Sequence, residues 1–179
     1  MENTSTIKRG KTYSIVITAM FAALTAVFSQ ISIPIGPVPI NLALLSVFVA
    51  GGLLGIKRAV ISQLVYVLIG AVGLPVFAGF KGGVGALTGP TGGYIIGYVL
   101  AAGAVALITA VWNKKLPALI VSMLAGLVIC YAFGTAWFVI SSGTNLLAAL
   151  SSCVFPFLPG DALKIAAAAA LCLRLKRVV

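Results

Sequence analysis

The sequence predicts an all-α, polytopic membrane protein with six transmembrane helices and both termini in the cytoplasm. Three observations support this fold class: 61% of the 179 residues are hydrophobic, only 8% are charged, and long uncharged runs alternate with short basic clusters. A soluble domain would carry about 25% charged residues. A transmembrane barrel would show strands of ~10 residues with alternating character, unlike these runs. We therefore expect a single membrane-embedded substrate-binding domain over residues 1–179.

The expected spans are apolar runs whose ends are marked by proline, glycine or basic residues. Three prolines between Ile33 and Pro39 exclude regular helix after the first run, and Asn41 is a plausible cap for the second. A glycine-rich stretch, 73–93, separates the third and fourth runs, and 142–158 is expected to be an amphipathic, partly helical loop. Since ~20 residues cross a bilayer core of ~30 Å, the expected spans are approximately 13–32, 41–55, 59–72, 92–112, 116–141 and 159–173.

The basic residues indicate the orientation in the membrane. The N-terminal segment, the second-to-third link, the fourth-to-fifth link and the C-terminal segment carry 3, 2, 2 and 3 of them, whereas the opposite side carries Lys81 alone. By the positive-inside rule both termini are cytoplasmic, and the proline-rich and glycine-rich loops face outward. The clusters lack the interleaved aromatic residues of a nucleic-acid surface, so we expect a lipid bilayer and no nucleic acid as surroundings.

Asp161 is the only carboxylate side chain after Glu2. An acid at membrane depth is costly and marks a candidate functional site. Pro159 suits a first helical turn, so Asp161 is expected near the positive end of a helix dipole, with Lys164 on the same face three residues later. We interpret the pair as a polar anchor for a small solute in an outward-opening pocket. The alternative is that Asp161 only caps the helix and Lys164 only neutralises it.

The glycine-rich stretch is a second candidate for the binding site. Irregular backbone near membrane depth is tolerated where it is buried in protein or lines a cavity, and glycine lets backbone approach a ligand closely. The phosphate-binding pattern Gly-x-x-x-x-Gly-Lys-Ser/Thr is absent. A plain flexible turn is the alternative interpretation.

Residues for catalysis and metal binding are few. The chain has no histidine, and a single embedded carboxylate excludes paired-acid chemistry. Cys130, Cys153 and Cys172 are widely spaced and are predicted to be buried small hydrophobic residues. We therefore expect no enzyme activity, no catalytic residues, no metal and no cofactor bound by this chain. Since an ATP-binding motif is also absent, energy from ATP would have to arrive through a partner.

The first span carries a stripe of small residues at helical spacing. Such a stripe lets another helix approach closely in lipid. The neighbour is either a helix of the same bundle or a separate protein, and the pattern does not distinguish the two. The stripe consists of Ala19, Ala22, Ala23 and Ala26.

Four motifs in order along nearly the whole chain resemble the BioY family, the biotin-specific S-components of energy-coupling factor (ECF) transporters. The resemblance implies capture of biotin from outside by a six-helix protein in the plasma membrane of a prokaryote. Transport would then require a transmembrane scaffold subunit and two cytoplasmic ATPases, which use the ATP. The motifs are Ile35–Asn41, Gly70–Phe77, Gly89–Tyr94 and Pro156–Lys164.

The resemblance also implies roles for individual residues. S-components dock on the scaffold through an Ala-x-x-x-Ala pattern on the first helix. Ala19 and Ala23 match this pattern, and Ala22 and Ala26 repeat its spacing, so all four are expected to dock. The ureido group of biotin has N–H donors and a C=O acceptor, so Asp161 would accept from an N–H. Lys164 would donate to the ureido oxygen or to the ligand carboxylate, and both remain open. Further substrate-binding candidates are Asn41, Phe77, Gly89, Pro90, Thr91, Gly92, Tyr94 and Trp137.

A stand-alone, proton-coupled secondary transporter of biotin or a similar small solute is the alternative function. One embedded carboxylate would be enough for proton coupling. Against it, the chain has no clear internal repeat of the kind that many such transporters carry.

Overall fold

The fold is a bundle of α-helices, described here from a computed structural model that covers residues 10–34, 36–112 and 115–176. Glu2, Ile35 and four of the basic residues counted above, Lys8, Arg9, Lys114 and Arg177, lie outside the described residues. In chain order the elements are α1 (Lys11–Gln30), β1 (Ser32–Ile33), β2 (Ile40–Asn41), α2 (Ala43–Leu54), α3 (Ile56–Ala71), α4 (Val84–Thr88), α5 (Gly92–Val111), α6 (Leu116–Ser142), α7 (Leu146–Cys153), a 3-10 turn (Phe155–Phe157) and α8 (Leu158–Leu175).

Four helical segments are long and apolar enough to cross a membrane within the described residues. They are Lys11–Gln30, Gly92–Val111, Leu116–Ser142 and the combined run Leu146–Leu175. The shorter apolar helix Ala43–Leu54 lies at the centre of the bundle, where all of its residues but Leu45 are buried. It packs against α1, α3, α5 and α8. Protein therefore shields this short helix from lipid, one of the outcomes that its length predicts.

The expected helix ends are close to the observed ones, with two differences. Lys57 and Arg58 lie in the first turn of α3, because a single residue, Gly55, links α2 to α3. Its φ of 76° is a conformation that glycine adopts readily and that reverses the chain without a longer loop. Asn41 lies in β2 rather than at the first position of α2, but its Oδ1 still accepts from the Ala43 N–H at 3.0 Å.

Both loops that were expected to be irregular contain short regular elements. The proline-rich loop is closed by an antiparallel pair in which Ser32 faces Asn41 and Ile33 faces Ile40. The glycine-rich stretch contains a bridge between Phe77 and Lys81 and the five-residue helix α4. Residues of both loops line one cavity, and we call this end of the bundle the cavity end.

The expected loop 142–158 is mostly helical. Gly143, in the left-handed conformation, ends α6, and the Asn145 Oδ1 accepts from the Ala148 N–H at 2.7 Å to cap α7. The prediction of a partly helical loop understated the helix content of this segment. An asparagine two residues after a helix-ending glycine is itself a signal for the start of a new helix. The segment packs against α6, and it brings Cys153 and Phe157 to the cavity end.

Candidate substrate-binding cavity

A cavity opens at the cavity end, between the loops and the ends of α2, α3, α5, α6 and α8. It contains about 730 Å³ of empty space, part of it continuous with solvent. Its polar and aromatic lining residues are Asn41, Tyr66, Phe77, Lys81, Thr91, Tyr94, Tyr98, Cys130, Tyr131, Cys153, Phe157, Asp161 and Lys164.

Asp161 and Lys164 form a buried ion pair on this wall. The Lys164 Nζ lies 2.7 Å from the Asp161 Oδ1, and the two side chains are 6% and 0% exposed. The other carboxylate oxygen, Oδ2, accepts a hydrogen bond from the Tyr131 hydroxyl of α6. Each carboxylate oxygen therefore has a protein donor, and each retains a second lone pair for a ligand N–H.

The local sequence explains why this pair faces inward. Helix α8 begins at Leu158 with Pro159 in its first turn, where a missing N–H breaks no helical hydrogen bond. Asp161 follows in the same turn, where the helix dipole favours a negative charge. The spacing of three residues puts Lys164 on the same face, whereas Leu163 is exposed. The expected arrangement of this turn is confirmed.

Aromatic side chains form much of the remaining wall. Phe77 and Tyr66 meet edge to face with their ring centroids 5.5 Å apart. The ring centroids of Tyr66 and Tyr98 are 6.4 Å apart. The Tyr94 hydroxyl is hydrogen-bonded to Thr135 at 2.9 Å. Such walls bind flat or apolar ligand groups while the hydroxyl groups remain satisfied.

Of the ten residues predicted to bind substrate, six line the cavity. They are Asn41, Phe77, Thr91, Tyr94, Asp161 and Lys164. The Asn41 Oδ1 accepts from Ala43 and, at 3.4 Å, from the Tyr98 hydroxyl. Within the described part of the chain, its NH₂ group has no protein acceptor, so this donor is left for a ligand.

The other four predicted residues do not line the cavity. The Trp137 Nε1–H donates to the Gly89 carbonyl at 3.0 Å, so the indole fastens the glycine-rich segment to α6 from behind. Gly89 and Pro90 border a separate shallow depression beside the cavity mouth. Gly92 is buried, and a Cβ there would lie 1.6 Å from the Leu87 carbonyl oxygen. These positions shape the segment that carries Thr91 and Tyr94.

Several lining residues were not predicted. Tyr131, recognised in the sequence only as part of an aromatic group, contacts Asp161 across thirty positions of sequence. A tyrosine hydroxyl in an apolar span needs a hydrogen-bond partner, and Asp161 is the one acid embedded in the spans. These two facts together could have predicted a contact between Tyr131 and Asp161. Tyr98 follows Tyr94 by one helical turn, which places both on one face of α5. Nothing in the sequence pattern singled out Tyr66 or identified Lys81 as a rim residue.

The predicted burial of the cysteines is confirmed, since all three are buried. Cys130 and Cys153 lie on the cavity wall. Cys172 packs on the far side of the bundle, where a Cβ on Gly52 would lie 2.6 Å from its Sγ.

The predicted alanine stripe is divided between two faces of α1. Ala22 is 3% exposed and Ala26 packs against the core, so both serve packing within the bundle. Ala19 and Ala23 are exposed on the outer face, where Val16 and Met20 are exposed as well. The Ala-x-x-x-Ala pattern at Ala19 and Ala23 is therefore open to a neighbour outside this chain.

The whole chain resembles known proteins. A model of the BioY family matches residues 1–179. The chain is 40% identical over 166 residues to a protein of Pyrococcus horikoshii called probable biotin transporter BioY, covering 93% of this chain and 98% of the relative. It is 42% identical over 160 residues to the biotin transporter BioY of Thermotoga maritima, covering 89% and 93% of the two chains.

The fold is also similar to a solved structure. The match is the crystal structure at 2.1 Å of the S-component for biotin from an ECF-type ABC transporter, with a TM-score of 0.88 and 28% sequence identity. It covers 99% of this chain and 95% of that chain. Because the family model spans every residue and two relatives are at least 40% identical over most of their length, the chain belongs to the BioY family.

Proposed function

We propose that this protein is the S-component of an ECF-type transporter, which captures biotin in its cavity and delivers it for uptake. The observation that carries the proposal is the fully buried Asp161, with Lys164 and Tyr131 as donors, on the wall of a cavity that is lined in part by aromatic side chains. Membership of the BioY family supports biotin as the substrate. The ATP would be used by partner subunits, and this chain would bind no cofactor of its own.

The ureido ring of biotin is proposed to bind at the ion pair. Asp161 accepts from a ureido N–H through a lone pair that its protein donors leave open, while a remaining Lys164 N–H or the Asn41 NH₂ donates to the ureido oxygen. Asp161 and Lys164 continue to neutralise each other when a neutral ring binds beside them. A ligand carboxylate beside Asp161 would instead place two negative charges together.

The valeryl carboxylate is proposed to lie at the mouth, beside Lys81. Lys81 is exposed and lines both the cavity and the shallow depression outside it. Two lysines line the described cavity, and Lys164 is already paired with Asp161. Lys81 is therefore the lining lysine that has no acidic partner. This pose resolves the two options for Lys164 in favour of the ureido oxygen, and it leaves the ligand charge near water.

Lys81→Met is expected to weaken biotin binding about fivefold at low salt, the effect of one exposed ion pair of ~1 kcal/mol. Biotinamide, which lacks the negative charge, should bind equally to both proteins. Lys115→Met is the matched control, because Lys115 is exposed at the opposite end of the bundle. Equal weakening for biotin and biotinamide in calorimetric titrations would argue against this pose.

The cavity is proposed to face the exterior of the cell. The described basic residues other than Lys81 and Lys164 lie at the helix ends remote from the cavity: Lys11, Lys57, Arg58, Lys115, Arg174 and Lys176. The positive-inside rule then favours cytoplasmic termini and a plasma-membrane protein. The four long helical segments together with α2 and α3 would make the six spans.

The exposed Ala19 and Ala23 face of α1 is proposed to contact the transmembrane scaffold subunit, and two cytoplasmic ATPases would act through that subunit. Small residues permit the close helix approach that such a contact needs in lipid.

The function is tested with the purified protein and then in vesicles. Biotin should bind saturably at one site per chain, and pantothenate, an acid without a ureido ring, should not compete. In vesicles, uptake should need ATP and the partner subunits. Uptake driven by a proton gradient with this chain alone would favour the secondary transporter, and absence of biotin binding would refute the proposal.

A further inference from the structure

We propose that Gln30 is a positioning residue for the substrate, because from the end of α1 it holds the hairpin Phe77–Lys81 in place over the cavity. The inference rests on the proposed function, since the hairpin carries one wall and the charged rim of the biotin site. Gln30 itself does not line the cavity. Any effect on binding must therefore pass through the hairpin.

The Gln30 side chain reaches three backbone groups of the glycine-rich segment. Its Nε2–H₂ donates to the Phe77 carbonyl at 3.1 Å and to the Pro75 carbonyl at 3.3 Å. Its Oε1 accepts from the Phe80 N–H at 3.0 Å. A longer contact of Nε2 with the Ala26 carbonyl, 3.4 Å, keeps the side chain against its own helix. One amide thus uses both its donor and its acceptor on a single turn.

The turn that Gln30 holds is unfavourable by itself. Between the paired residues Phe77 and Lys81, both Gly79 and Phe80 have positive φ, 72° and 57°. Glycine adopts this region freely, but a bulky residue such as phenylalanine does so rarely. Phe80 is also 72% exposed, so packing of its ring does not compensate. The hydrogen bond from the Phe80 N–H to Gln30 is therefore a specific support for a strained residue.

The held hairpin forms part of the site. Phe77 is 2% exposed, and its ring occupies the space beside Gly70, where a Cβ would lie 2.0 Å from its Cζ. Lys81 follows at the rim. On its other side the segment is tied to α3, through the Gly83 N–H and the Gly70 carbonyl at 2.7 Å. Without the Gln30 amide, the side of the hairpin that faces α1 loses its hydrogen bonds, and Phe77 and Lys81 are held less firmly in position.

Gln30→Met tests the proposal, because methionine keeps the length of the side chain and removes its amide. The dissociation constant for biotin should rise about tenfold, as expected for losing more than one hydrogen bond of ~1 kcal/mol. Hydrogen exchange of the ligand-free protein should speed up at 77–81. Thr88→Val is the matched control. Among the described residues the Thr88 hydroxyl bonds only to the carbonyls of Val84 and Gly85, so both readouts should stay unchanged.

A second substitution separates positioning of the turn from a general structural role. Asparagine tolerates positive φ better than phenylalanine. Phe80→Asn added to Gln30→Met should therefore restore biotin affinity to within about threefold of the wild-type protein. Hydrogen exchange of the bundle helices should also stay unchanged in Gln30→Met, whereas a variant that had merely lost folding stability would exchange faster throughout the bundle.

Three results would overturn the inference: wild-type affinity and exchange in Gln30→Met, an equal loss in Thr88→Val, or no repair by Phe80→Asn. Failure of the wild-type protein to bind biotin would instead refute the proposed function. The exchange experiment uses no ligand, so it would still show whether Gln30 holds the hairpin.

Discussion

Asp161→Asn is expected to weaken biotin binding by a factor of about 30 or more, which corresponds to ~2 kcal/mol. Asparagine keeps the shape of the side chain, but it replaces a charged acceptor by one amide oxygen and an NH₂ group. Tyr131 and Lys164 contact different carboxylate oxygens, so the single amide oxygen can accept from only one of them, and Lys164 stays buried without a counter-charge. The ureido N–H then meets a donor in place of a carboxylate oxygen.

The single substitution will also reduce stability, because breaking a buried ion pair costs about 3–5 kcal/mol. The double variant Asp161→Asn/Lys164→Met separates the two effects. Neutral residues often replace a buried pair without loss of stability, so the melting temperature should recover toward that of the wild-type protein. Binding should not recover, because the acceptor for the substrate is still missing.

This pair of variants decides between the two interpretations of Asp161. If the ion pair exists only to tolerate its own burial, the stable double variant should bind biotin as the wild-type protein does. If Asp161 is an anchor, equilibrium dialysis should show weak binding in both variants and a near-wild-type melting temperature in the double variant alone.

The helices could be predicted from sequence because their signals are local. Long apolar runs, a proline in the first turn of α8 and glycine at Gly55 and Gly143 set most helix ends to within a few residues. The ion pair Asp161–Lys164 was predictable for the same reason, since a spacing of three residues on a helix fixes which side chains are neighbours. The single domain over residues 1–179 stays a prediction.

The contacts that complete the cavity are not local, and the sequence did not reveal them. Tyr131 reaches Asp161 from another helix, and Gln30 reaches the Phe77–Lys81 hairpin across about fifty positions of sequence. Trp137 was predicted to be a wall residue because it is aromatic, whereas its indole bonds to Gly89 behind the wall. Residue type indicated which side chains could bind a polar or aromatic group, and tertiary packing decided which of them line the cavity.

Gly134→Ala is expected to have the second-largest effect, on both stability and binding. A Cβ at this position of α6 would lie 2.2 to 2.5 Å from three ring atoms of Tyr94. Tyr94 lines the cavity, and its hydroxyl bonds to Thr135, next to the substituted residue. Because α5 and α6 are packed closely along glycines such as Gly97 and Gly126, the ring has little room to retreat.

Overpacking of this kind costs about 1–3 kcal/mol, so the melting temperature of Gly134→Ala should fall and biotin affinity should drop about tenfold as Tyr94 is displaced. Gly160→Ala is the matched control, because a Cβ at this helical position of α8 meets nothing within 4 Å. That variant should be as stable as the wild-type protein or slightly more so, since alanine is more favourable than glycine in a helix by ~1 kcal/mol.

Adding Tyr94→Leu to Gly134→Ala removes the ring that the new methyl group strikes, so the melting temperature should rise again while binding stays weak. A Gly134→Ala protein with unchanged melting temperature would show that α5 and α6 can separate at this point at little cost, contrary to the close packing of the two helices.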